Sequence, residues 1–286
     1  MRGYRASVTA ARVIFVSDTH LSPDAPEAQD NWAAVVRYVD QAAPDVVIHL
    51  GDLSLDGARN PADLDHARRQ LDLLPVPWRA IPGNHDVGDN PLPGASESLT
   101  VSDARRQRWL EAIGPDYWSL ALDGWVLLAV NAQLAGSELA AEASQWSWLA
   151  DQLGSVSQDQ RIALLTHKPV TAEAAELAEA PPYRFWPPAA WRRLAGVFAG
   201  DPPALVVSGH VHQSRILSMD GTQHLWVPTT WAVLPDHAQA VLGAKRSGIM
   251  SLDFPAELPV QPEFHEPDGM RQLTLTAHIP DPYHSH

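Results

Sequence analysis

The 286-residue chain has no cysteine. That excludes a disulfide framework, Cys-ligated zinc ribbons, iron–sulfur clusters and a thiol nucleophile, so any metal site must use nitrogen and oxygen ligands. Long hydrophobic runs are missing too. The longest, such as 125–130 and 204–207, fall far short of the ~20 residues that span a bilayer, so no membrane partner is expected. Residues 1–9 carry two arginines, but no apolar stretch of about 7–15 residues follows, so no secretory leader is expected and the expected location is cytoplasmic. Basic charge is scarce: Lys and Arg total 20 against 34 Asp and Glu, a formal net charge of −14. Long nucleic acid and anionic lipid are captured by clustered cations that displace counterions, and this balance disfavours both. Hydrophobic residues, at 45% of the chain, are sufficient for a sizeable core. Trp109, Trp146, Trp148 and Trp191 fall on helical patterns and are expected inside it.

Residues 12–16 form a short β-branched run ending at Ser17-Asp18, which reads as a buried strand. Trp32, Val35, Val36 and Val39 share one face of a helix over 30–42. Strands over 45–50 and 78–81 close on Gly51-Asp52 and Pro82-Gly83, with a helix over 61–74 between them. Successive strand–loop–helix units predict parallel pairing. Beyond residue 116 the pattern changes: 117–122 and 125–131 flank Asp123-Gly124 as in a two-residue hairpin, which predicts antiparallel pairing. Helices over 140–153 and 188–198 and buried strands over 161–166 and 204–208 come next, followed by short strands at 215–219, 224–227, 247–254 and 272–277. No repeat or linker divides the chain, so a single domain over 1–286 is expected, with a loose tail over 256–286 where Pro and His thicken.

Five polar motifs fall just after five predicted strands: Asp18-x-His20, Gly51-Asp52, Gly83-Asn84-His85-Asp86, His167 and Gly209-His210-x-His212. Loops leaving the carboxyl ends of strands in an open sheet converge on one crevice, so these distant groups can meet there. Carboxylate, imidazole and amide all bind borderline or hard divalent ions. Glycines 51, 83 and 209 let the backbone turn where a Cβ would obstruct. Singly, each motif is weak. Gly-Asp after a strand is usually a turn or helix cap, and Gly-Asn-His-Asp can be a hydrogen-bonded turn. Gly-His-x-His is sharper, because alternate residues of an extended segment face one side and can hold one metal or two. The argument is that all five occur in order, each at a strand end.

These motifs, from Asp18 to His212, resemble the calcineurin-like metallophosphoesterase superfamily, and within it the class III cyclic nucleotide phosphodiesterase group. Leu55 stands where the purple acid phosphatases carry a tyrosine ligand, and Leu55-Asp56-Gly57 where the protein serine/threonine phosphatases carry Asp-Arg-Gly. The resemblance implies an α/β fold, a four-layer α/β/β/α sandwich of two mixed β-sheets flanked by helices. It implies two metal ions (Mn, Fe, Zn or Co), one held by Asp18, His20 and His212 and the other by Asn84, His167 and His210, with Asp52 bridging. The implied reaction is hydrolysis of small phosphodiesters, such as cyclic nucleotides or glycerophosphodiesters, by in-line attack of a metal-bridging hydroxide. His85 is the implied catalytic group, protonating the departing alkoxide or steadying phosphoryl charge. A broad phosphomonoesterase and a non-catalytic metal-binding scaffold are the alternatives, and a homodimer is among the states the resemblance allows.

Substrate contacts are expected from Asn84, His85, Lys168 and Arg184. Lys168 replaces the second histidine that class III enzymes often carry before the proline; it either binds a phosphate oxygen or points to solvent. Residues 181–188 (PPYRFWPP) read as a pocket wall, with Arg184 for charge and Tyr183, Phe185 and Trp186 for an aromatic or alkyl group, or as a surface loop anchored by its aromatics. Asp86 either orients the His85 imidazole or caps a helix. His49 reads as an interior histidine, Thr229-Thr230-Trp231 as part of the site's rim, and His278, His284 and His286 as tail residues.

Overall fold

Val13 to Val16 of β1 (Ala11–Val16) are all buried, as a strand covered on both faces requires. In the computed structural model, which describes residues 10–91, 99–122, 124–170, 184–198, 200–254 and 258–276, β1 pairs in parallel with β2 (Val46–His49), and β2 with β3 (Trp78–Ala80). The crossovers run through α1 (Pro26–Ala42) and α2 (Pro61–Leu71). Short α3 (Asn84–Val87) and α4 (Asp103–Ala112) follow β3. The hairpin is present: β4 (Trp118–Leu122) runs antiparallel to β5 (Trp125–Val130), although Asp123 at its turn lies outside the described residues. α5 (Ala140–Ser155) leads to β6 (Arg161–Thr166), and α6 (Pro188–Val197) to β7 (Leu205–Ser208). Next come β8 (Arg215–Met219), β9 (Thr222–Trp226), β10 (Ala232–Val233), β11 (Ile249–Phe254), β12 (Glu263–His265) and β13 (Leu273–Thr274).

Two mixed sheets result, ordered β12-β11-β1-β2-β3 and β4-β5-β6-β7-β9-β8, beside a small β10-β13 pair. Side chains alternate across them. Val13 and Phe15 meet Ile48, Leu50, Trp125, Leu127, Leu165 and Val207 in the layer between the sheets. Ile14 and Val16 turn the other way, against Trp32 and Val35 of α1, Leu64 of α2 and Trp109 of α4. On the far side, Leu128, Leu164 and Val206 pack against Trp146 and Leu149 of α5 and Leu194 of α6. The order of layers is therefore helix, sheet, sheet, helix, the sandwich the resemblance implied.

Several details differ from expectation. α4 is the helix expected around Trp109, and that residue alone buries it; β12, three residues long, is additional to the expected strands. Trp109 and Trp146 are core, but Trp148 is partly buried and Trp191 is 37% exposed, because α6 leaves that edge uncovered. The stretch 258–276, expected within a loose tail, is packed instead. β12 extends the first sheet, β13 pairs with β10, and Val260, Met270 and Leu275 are buried. Residues 277–286, with His278, His284 and His286, lie outside the described residues. Among the described residues no helix is long and apolar enough to cross a membrane.

Candidate metal centre

The five motifs leave the carboxyl ends of β1, β2, β3, β6 and β7, so both sheets contribute to one cluster. Asp18 Oδ1 lies 3.3 Å from His212 Nε2, and His20 Nε2 lies 3.2 Å from the same nitrogen. His20 Nε2 is also 3.9 Å from Asp52 Oδ2, which is 3.2 Å from His167 Nε2. His167 Nε2 in turn lies 3.1 Å from His210 Nδ1 and 3.3 Å from Asn84 Oδ1. Asp52 thus stands between two groups, Asp18/His20/His212 and His167/His210 with Asn84. Each group, Asp52 included in the second, brings at least three ligand atoms within 4.8 Å of one another.

The backbone is bent to achieve this. Asp18 (φ 54°), His20 (47°), Asp52 (54°), His210 (68°) and His212 (52°) all occupy the left-handed region, a conformation costing a non-glycine residue on the order of 1–3 kcal/mol and concentrated at functional sites. Gly51 also needs positive φ, at 102°. Gly83 does not; it is required for space, because a Cβ there would collide with the carboxylate and backbone nitrogen of Asp52. Gly83→Ala should therefore cost about 1–3 kcal/mol, as overpacking does, and should push Asp52 out of place. Thermal denaturation and metal titration read the two effects, and an unchanged melting temperature would contradict the contact.

The rings are oriented by backbone carbonyls. His167 Nδ1 donates to Leu50 O (2.8 Å), His212 Nδ1 to Ala232 O (2.6 Å) and His85 Nδ1 to Leu55 O (2.7 Å). In His167 and His212 this turns Nε2 toward the cluster, the nitrogen a metal ligand uses when Nδ1 carries the proton. Asp18 Oδ1 is buried without a hydrogen-bond partner, and a bare carboxylate oxygen 3.3 Å from an imidazole nitrogen fits divalent cations of the borderline or hard kind.

Residues 11–214 match the family model for calcineurin-like phosphoesterase. The chain belongs to that family. It is accordingly a metal-dependent phosphoric ester hydrolase. A probable cyclic nucleotide phosphodiesterase of Synechococcus is 28% identical over 229 residues, covering 75% of this chain and 78% of that protein. The 3',5'-cyclic adenosine monophosphate phosphodiesterase CpdA of Escherichia coli K12 is 24% identical over 274 residues, 91% of each chain. In fold, the chain resembles a dimetal phosphatase from Danio rerio, with TM-score 0.60 and 13% identity over 86% of this chain and 93% of that one.

In this calcineurin-like phosphoesterase the cluster's electrostatics follow from burial. Burial and the neighbouring His85 hold the His20 pKa well below its ordinary value; burial, His167 and Lys168 do the same for His210. His212 goes the other way, raised against its burial by the Asp18 carboxylate and the Ala232 carbonyl, and so does His167. Burial works against its charge, but the Asp52 and Asp18 carboxylates outweigh it and lift its pKa to about 9. In the metal-free chain this ring therefore keeps a proton below about pH 9, which a metal bound at its Nε2 would have to displace. Metal affinity should then fall about tenfold per pH unit below that point, with proton release on binding. Competition titrations at several pH values with calorimetry in two buffers test this, and a pH-independent affinity would refute it.

Asp86 does not orient His85. It accepts from the backbone nitrogens of Leu53 (3.1 Å), Ser54 (2.9 Å) and Gly83 (2.9 Å) and from Ser54 Oγ (2.6 Å), tying the β2 and β3 loops together. Burial and the nearby Asp52 raise its pKa to about 6. His49 is interior as expected, with Nε2 3.0 Å from Thr19 Oγ1 and Nδ1 accepting from Gly51 N.

Lys168 requires a correction. It is fully buried, not turned to solvent, and its ammonium is engaged by Asp89 and by Asn90 Oδ1 (2.8 Å), so it is not held free for a phosphate oxygen. The anchored-loop reading describes what is seen of 181–188. Arg184 is buried and donates from Nη2 to Ala238 O (3.1 Å), and Trp186 Nε1 donates to Thr166 Oγ1 (2.9 Å). Tyr183 lies outside the described residues. Thr229 and Trp231 lie beneath the cluster rather than at its rim: Thr229 Oγ1 donates to Asp18 O (2.9 Å) and the Trp231 ring sits 4.8 Å from that of His20. The carbonyls of Leu50, Leu55 and Ala232 that aim the rings had no signal in the sequence, since any residue type supplies a carbonyl.

Proposed function

We propose that this enzyme hydrolyses small phosphodiesters, cyclic nucleotides among them, at a centre for two metal ions. The observation that carries the reading is the pair of ligand groups sharing Asp52, supported by relatives whose names specify cyclic nucleotide phosphodiesterases. Asp18, His20 and His212 would hold one ion, Asn84, His167 and His210 the other, and Asp52 both. Bound there, the ions supply Lewis-acid polarisation of a phosphoryl oxygen and a lowered pKa for water. A carboxylate placed between two dications reduces their mutual repulsion, and the neutral amide of Asn84 leaves the site net cationic, as an anionic ester requires.

His85 is the remaining polar side chain against the cluster: its ring meets that of His20 edge-on at 4.5 Å, and its backbone nitrogen donates to Asp52 Oδ1 (2.8 Å). With Nδ1 fixed on Leu55 O, the proton that reaches a departing alkoxide comes from Nε2. The whole chain 1–286 acts as one unit in this reading. Manganese-loaded protein should cleave bis(p-nitrophenyl) phosphate and 3',5'-cyclic AMP faster than p-nitrophenyl phosphate. Faster cleavage of the monoester would reassign the enzyme as a phosphomonoesterase, and no cleavage with two metals bound per chain would leave only a scaffold.

A further inference from the structure

On the outer face of the second sheet, beneath α6, lies a cavity of about 280 Å³. Its depth is apolar, formed by Leu164 and Val206 of the strands, Val170, and Leu194 and Phe198 of α6 and its end. It extends to Pro203, which leads into β7, and to the β8–β9 turn. It therefore opens toward the amino-terminal end of β7, whereas the metal ligands lie beyond the carboxyl end of that strand. The volume is near the lower limit of about 300 Å³ for small-molecule pockets.

Asp220, Thr222 and His224 interrupt the apolar lining, and the Thr222 hydroxyl is already used, donating to Pro203 O (2.8 Å). His224 of β9 borders the cavity and is 5% exposed, yet among the described residues its ring nitrogens have no hydrogen-bond partner. Burial holds its pKa down to about 4, so at neutral pH it is an uncharged imidazole with one N–H donor and one bare nitrogen. Its ring nitrogens therefore face the open space of the cavity, where they can pair with whatever fills it. Among the described residues the lining has no lysine or arginine, and its charged member is Asp220, so a carboxylate or phosphate would be repelled. A hydroxyl, which both donates and accepts, matches either tautomer of the ring.

We propose that this cavity binds a small uncharged molecule that is mostly apolar and carries one hydroxyl, a phenol or a compact alcohol, with the hydroxyl hydrogen-bonded to His224.

The test uses phenol and benzene as a matched pair, titrated into the metal-loaded full chain while the imidazole nitrogen resonances of His224 are followed by NMR. Phenol should shift those resonances saturably and bind about threefold to tenfold more tightly than benzene, the margin of one hydrogen bond. His224→Leu should abolish that preference while leaving benzene binding in place, and His224→Gln, which keeps a donor and an acceptor, should restore part of it. Absence of a saturable shift would overturn the proposal, as would a phenol-to-benzene ratio that His224→Leu leaves unchanged. Should the leucine variant not fold, the wild-type ratio decides: equal binding of the two probes refutes the assignment.

Discussion

Asp52→Asn is expected to weaken metal binding by more than about 100-fold, since even groups one step removed from a metal commonly cost 10–100-fold when changed. Asparagine keeps the shape and can still accept from the His85 backbone nitrogen through one oxygen. What it loses is the anionic Oδ2 that lies 3.2 Å from His167 and 3.9 Å from His20. An amide nitrogen in that place directs hydrogens at both rings and removes the negative charge shared between the two ligand groups. The metal-free variant offers an independent check. His167 would lose the carboxylate that outweighs burial, so its pKa should drop from about 9 toward or below that of an ordinary histidine. Proton NMR of the ring reads this directly. Wild-type stoichiometry and affinity for metal in Asp52→Asn would remove Asp52 from its bridging position.

The second large effect is on catalysis alone. His85→Ala should lower kcat by about 10²–10⁴, the usual contribution of a positioned acid–base group, while both metals stay bound. The distinction matters because His85 also lies within reach of a ligand triplet with His20 and Asp52. If it were a ligand, metal content would fall along with activity. The loss should be greatest for an ester with a poor leaving group, whose alkoxide needs the proton, and smaller for a p-nitrophenyl ester. A kcat unchanged on a poor leaving group would exclude His85 from proton transfer.

The parts legible in the sequence were those governed by short-range pattern. β1, β2, β6 and β7 are buried on both faces and therefore read as unbroken apolar runs, and a polar motif at the end of each run marks the carboxyl edge of its sheet. Asp18, Asp52, His167 and His210 could be placed beside one another on that ground alone. Lys168 could not be read, because its burial depends on Asp89, which reaches it from the β3 side of the chain; sequence shows a lysine, and a lysine is ordinarily solvated. The same holds for Asp86, whose four donors come from two loops. α4 was legible only at Trp109, because a single tryptophan buries it and its other positions give no apolar period. The tail was misjudged since prolines were read as disorder, when Val260 and Leu275 between them are buried.

The pairing of β1 with β11, Ala11 opposite Phe254, bears on when the enzyme can acquire its activity. β1 lacks this neighbour until β11, beginning at Ile249, has been made. At synthesis rates of about 5–20 residues per second, that is a delay of tens of seconds. His212 likewise waits for the carbonyl of Ala232, and Asp18 for the hydroxyl of Thr229. Nascent chains truncated before residue 229 would carry all five motifs yet lack the contacts that aim His212 and Asp18, so the cluster takes its shape only after that point in synthesis.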